Sequence, residues 1–99
     1  MLLHICEQAD YDRAVKTGVY ECASLDNEGF IHCCSESQLP GVVERYYSGR
    51  DGLLLLHIDA GKLQARLEYE NTVGGEELFP HVYGSIAMDS IVSAEPLSN

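Results

Sequence analysis

The spacing of apolar side chains changes period several times along this chain. Leu2 to Cys6 alternates with a period of two, which predicts a strand with Leu2, His4 and Cys6 on one face and Leu3 and Ile5 on the other. From about Glu7 to Thr17 the period lengthens to that of a helix, with Tyr11, Ala14 and Val15 on one stripe and Gly18 placed to end it. Val19 to Cys22 predicts a short strand, and Asp26-Asn27-Glu28-Gly29 a turn. A period of two then returns, placing Phe30, His32 and Cys34 on one strand face and Ile31 and Cys33 on the other.

Beyond Ser35 the strongest helical pattern appears: Leu39, Val42, Val43, Tyr46 and Tyr47 follow the i, i+3, i+4, i+7, i+8 spacing of an amphipathic helix. Ser35 and Gln38 have the capping-box form, Pro40 falls early enough to be tolerated, and Ser48-Gly49 stops the element. Leu53 to Ile58 is a nearly continuous apolar run and predicts a strand covered on both faces. Ala60 to Leu63 reads as a turn, Arg66 to Glu70 as a strand, and Asn71 to Glu77, with its paired glycines, as a mobile loop. Pro80 cannot donate to a ladder, so Leu78 to Gly84 is expected as an edge strand or as an extended segment entering a strand, and Ile91 to Glu95 supplies a last strand. Helices interleave with strands early and strands dominate later, the order of an α+β protein.

Size restricts the architecture further. Ninety-nine residues, 45% of them apolar, furnish one core and predict a single domain over residues 1–99. The formal charge is -10, with 6 Lys and Arg against 16 Asp and Glu. Affinity for a nucleic-acid backbone comes mainly from cationic side chains, so duplex nucleic acid is not an expected partner. No apolar run approaches the roughly 20 residues that span a bilayer, and the first ten residues lack the basic segment of a secretory signal. No membrane association is expected, and the expected compartment is the cytoplasm.

Three chemical readings compete for the stretch Glu28 to Cys34, EGFIHCC. His4-x-Cys6 and His32-x-Cys34 each offer an imidazole and a thiol on one strand face, ligand types that suit zinc. Their spacing matches none of the common structural zinc frameworks, so the expected metal complement is none. A thiol nucleophile is the second reading. Only Cys34, just before the second helix, has a position that could lower its pKa, whereas free cysteines are usually buried and inert. The third reading is a cleft built from imidazoles: His4, His32 and His81, with Tyr83 two residues further on, can project from one side of neighbouring strands. His57 reads as a strand-end residue. A lone strand histidine is ordinarily a satisfied core or edge group, and three in similar settings shift the balance toward a polar cleft.

Leu3-His4-Ile5, Glu28 to Cys33, Leu53 to Asp59 and Phe79-Pro80-His81-Val82-Tyr83-Gly84 together resemble the bacterial family called domain of unknown function 952. The resemblance covers nearly the whole chain, and the ordered pair GFIHC and FPHVYG carries most of its specificity. It implies a fold related to the ADP-ribosyltransferases: a strongly bent mixed or antiparallel sheet with two main helices around a cleft for a nicotinamide dinucleotide. By that resemblance His4 and His32 are the catalytic positioning groups, Glu70 of the E-x-E at 68–70 is the candidate catalytic carboxylate, and Glu28, His81 and Tyr83 are ligand-binding residues. NAD would be ligand or substrate, and no covalently bound cofactor is expected. Cleaving a nicotinamide glycosidic bond develops oxocarbenium character, which Glu70 or Glu28 would stabilise while Tyr83 stacks on the ring. The alternative is a noncatalytic module that binds a small metabolite in the same cleft.

Overall fold

A computed structural model describes residues 1–71 and 74–98. Among these, eight strands form small antiparallel sheets that short helices join, an α+β arrangement. The first sheet has the order β1-β4-β8 (Leu2–Glu7, Leu53–Ile58 and Ile91–Pro96). The apolar run expected to be covered on both faces is its central strand, with Leu56 opposite His4 on one side and Ala94 on the other. A second sheet pairs β2 (Val19–Tyr20) with β7 (Ile86–Ala87). The third has the order β3-β6-β5 (Ile31–His32, Phe79–Tyr83 and Arg66–Glu70), with β5 at its outer edge. Every pairing is antiparallel, and the single bent sheet expected from the sequence is divided into these three.

The alternation in β1 has a direct structural consequence. Leu2 and Cys6 pack into a cluster with Tyr20, Ile31, Leu56, Ile58, Val82 and Ile86, whereas Leu3 and Ile5 pack on the opposite side with Cys34, Leu53 and Leu55. The strand therefore separates two small cores and is buried on both faces. Its end joins the third sheet through Leu3 and Cys34, whose backbones exchange hydrogen bonds of 2.8 Å in both directions.

Helix α1 (Gln8–Thr17) forms where expected and ends on Gly18, whose φ of 88° is one that glycine adopts without Cβ strain. Ala14 is buried and Tyr11 packs on the first core, but Val15 faces solvent. The turn expected at residues 26–29 belongs to a second short helix, α2 (Ala23–Glu28), and only its Gly29 cap turns. The expected long helix over residues 39–47 is one α-turn, α3 (Leu39–Val42), running into a π-helical turn over Val43–Tyr47. The Ser35–Gln38 box does form, Ser35 N donating to Gln38 Oε1 at 2.9 Å and Gln38 N to Ser35 Oγ at 3.3 Å. The wider π-turn lets Tyr47 pack on the second core five residues after Val42, while Tyr46 turns outward.

β6 lies between β3 and β5 and is not an edge strand, and Pro80 is its second residue, at the strand's entry. Antiparallel alternation explains how this is tolerated. Pro80 opposes Tyr69, and its carbonyl turns the other way, to Cys33 N at 3.0 Å. The N–H that proline lacks would project to the same side as its carbonyl, toward Cys33 just beyond β3, so no bond to β5 is lost. The loop expected at Asn71 to Glu77 includes residues 72 and 73, which lie outside the described residues.

Candidate functional site

Strand parity sets the site. Because the Pro80 carbonyl turns toward the β3 side, the next pair along, His32 and His81, is of the non-hydrogen-bonded kind, in which opposite side chains approach most closely. Their ring centroids lie 5.2 Å apart. Phe30, on the same face as His32, stacks on His81 at 4.1 Å with its plane only 18° away. Tyr83, on the same face as His81, lies 5.3 Å from Phe30, and its own ring is covered by the Arg66 guanidinium at 4.4 Å.

A cleft of ≈ 560 Å³ opens beside this cluster. His4, His32, His81 and Glu28 all line it, with Tyr46, Tyr47 and Arg50 toward the helical side. Glu70 and Tyr83 are not in its wall. They stand behind His81, where His81 Nδ1 donates to Glu70 Oε1 at 2.9 Å and the Tyr83 hydroxyl donates to the same oxygen at 2.5 Å. The Tyr83 hydroxyl first, and His81 second, hold the Glu70 carboxyl below the usual carboxylate range, and the same bond raises the Tyr83 phenol.

The three imidazoles occupy different environments. His4 is buried, Nδ1 donating to the His32 carbonyl and Nε2 accepting from the Tyr20 hydroxyl at 2.8 Å. A carbonyl can only accept, so Nδ1 carries the proton in the neutral ring and Tyr20 is the donor at Nε2. Burial lowers the His4 pKa, with the His32 carbonyl partly opposing it. His32 has a side chain 47% exposed and donates Nε2–H to Glu28 at 2.8 Å. His81 is buried to 1%.

His57 lies elsewhere, on β4, paired with Glu95 at 2.9 Å. The thiols show no sign of activation. Burial pushes Cys34 up to about 11 and Cys6 up to about 12, and raises Cys33 as well. Among the described residues no group of three or more His, Cys, Asp or Glu side chains is placed to hold a metal ion, and both ring nitrogens of His4 are bonded to protein partners. Sequence reasoning did not single out Tyr20, Phe30 or Arg50. The F-x-H spacing of residues 30–32 carried a signal for Phe30, whereas Tyr20 reaches His4 only through the tertiary fold.

The chain belongs to the family described as protein of unknown function (DUF952), which it matches over residues 5–94. It is similar to protein CC0527 from Caulobacter crescentus. Against the X-ray structure of that protein the TM-score is 0.86 at 28% identity, covering 98% of this chain and 85% of that one. Against its solution NMR structure the TM-score is 0.82 at 28% identity, covering 98% and 84%. No curated protein matches the chain. Among the described residues no helix is long and apolar enough to cross a membrane.

Proposed function

We propose that the chain binds a nicotinamide-bearing nucleotide, NAD or a fragment of it, in the cleft beside β3 and β6, as an ADP-ribosyltransferase-like protein of the cytoplasm. The observation that carries this reading is the convergence of His4, His32, His81 and Glu28 on one cleft of ≈ 560 Å³, a volume within the roughly 300–1,000 Å³ of small-molecule sites. Asp10 and Glu28 make the wall acidic, which suits the cationic nicotinamide ring, while Glu7 is ion-paired with Arg50, whose guanidinium lies over Tyr47 at the helical side of the wall. If the glycosidic bond is cleaved, Glu28 is the carboxylate in reach of the oxocarbenium-like ribose, with His32 oriented by it.

A noncatalytic binding module is the second reading, favoured by one specific observation. Both ring nitrogens of His4 are engaged by the protein, so His4 supports the cleft floor and has no nitrogen left for a ligand. NMR shift titrations with NAD, ADP-ribose and phosphorylated nucleosides, together with an assay for nicotinamide release, separate these outcomes. Shifts at His32 and His81 with release support the enzyme, and shifts without release support the module. No shift with any of them rejects the nucleotide reading.

A further inference from the structure

His81 presents a specific asymmetry. Its side chain is 2% exposed, and its Nδ1 is fixed as a donor to the Glu70 carboxylate. Among the described residues Nε2 has no hydrogen-bond partner, yet no buried side-chain nitrogen or oxygen lacks one, so Nε2 is not sealed in. His81 lines the cleft, and Nε2 is the nitrogen of its ring left without a protein partner among the described residues, as Nδ1 is in the more exposed His32 beside it.

We propose that Glu70 is a positioning residue that acts on the cleft through His81, holding the ring as its Nδ1–H tautomer so that Nε2 offers a lone pair to a ligand hydroxyl, of the kind a ribose carries. Three features converge on this assignment. The carboxylate accepts the Nδ1 proton; the ring is clamped by Phe30 at 4.1 Å; and Tyr83 holds the carboxylate from behind. A ring so fixed can only accept at Nε2 while neutral, so it discriminates in favour of donors. The identity of the ligand rests on the nucleotide reading, but the tautomer and its direction do not.

The test uses protein labelled with 15N histidine. Two-bond 1H–15N spectra of the wild type without ligand are expected to show His81 as the Nδ1–H tautomer. Glu70→Ala should release it into a mixture of tautomers while backbone amide spectra keep their dispersion, and Glu70→Gln, which retains an oxygen there, should restore the single form. ADP-ribose should shift the wild-type His81 Nε2 signal and bind Glu70→Ala about three- to tenfold more weakly, the range of one hydrogen bond, with Glu70→Gln close to the wild type. Free D-ribose serves as the second probe. A shift of Nε2 with D-ribose but not with ADP-ribose, NAD or AMP would support the role of His81 and reject the nucleotide. An Nε2–H tautomer in the wild type, an unchanged tautomer in Glu70→Ala, or no Nε2 shift with any of these probes would overturn the assignment.

Discussion

His32 and His81 face each other across two antiparallel strands, 5.2 Å apart at ring angles of 76°, yet each is held by a different carboxylate. Glu28 takes the exposed ring and Glu70 the buried one. The pair therefore separates cleft chemistry from packing. His32→Ala removes a surface side chain and should cost about 0.5 kcal/mol or less in urea unfolding. His81→Ala removes a buried ring stacked on Phe30 together with its hydrogen bond to Glu70, and about 2–4 kcal/mol is expected. Equal costs for the two would contradict the burial difference.

Tyr20→Phe keeps the ring and removes the only hydroxyl that satisfies His4 Nε2 among the described residues. The unsatisfied buried nitrogen should destabilise the fold by about 1–3 kcal/mol, measured by denaturant midpoint. Tyr20→Phe combined with His4→Leu should recover part of that loss, because the hydroxyl and its imidazole acceptor are then both gone, although the His32 carbonyl loses its donor. A strictly additive double variant would show that the contact contributes nothing.

Stability should respond to pH at both ends. Burial lowers the His4 pKa below 6.5, so the unfolded chain takes up a proton that the folded chain refuses. This contribution is complete above about 6.5 and is lost as pH falls from there toward the lowered folded value. Glu70, lowered from 4.5, adds a further loss below that pH. At the alkaline end the sign reverses. The unfolded thiols ionise near 9.0 while Cys34 and Cys6 wait until about 11 and about 12, so stability declines as pH rises across that interval. Melting temperatures across the pH range check this, and His4→Asn should flatten the limb just below 6.5.

Gly84 supplies a steric test. A Cβ placed there would lie 2.9 Å from the Cβ of Ala65, closer than carbon atoms tolerate. Gly84→Ala should cost about 1–3 kcal/mol, and Ala65→Gly in the same chain should relieve part of it. A double-mutant cycle with coupling below about 0.5 kcal/mol would refute the contact.

How much of this was legible in the sequence depends on how local the cause is. β1, α1, β4 and the Ser35–Gln38 box follow from period and capping within a few residues, and all four formed. The shared face of Phe30 and His32 follows from a period of two. Two features follow from register between distant segments, which a period cannot specify: the Tyr20 hydroxyl at His4, and the Glu70 carboxylate behind His81 instead of in the cleft wall. That β6 is a central strand in spite of Pro80 has a related reason. Proline removes a donor on one side of a strand only, and the ladder to β5 on the other side of Pro80 is kept. Val15 belonged by spacing to the helix stripe, but the core that would have covered it does not extend that far.

The outer position of β5 bears on how the protein behaves in a crowded solution. An open strand edge invites a second chain to add itself, and Arg66, Glu68 and Glu70 occupy every second position along this one. Glu70 and Arg66 are already committed to Tyr83 and to one another's neighbourhood, with Arg66 also paired to Glu68 at 3.2 Å, so the charges stay on the strand as a fixed row. An incoming copy would have to bring its own row against them. Glu70, which holds His81 in place, is thus also one of the charges along the open edge, so neutralising it is expected to alter the edge along with the alignment of the His81 ring.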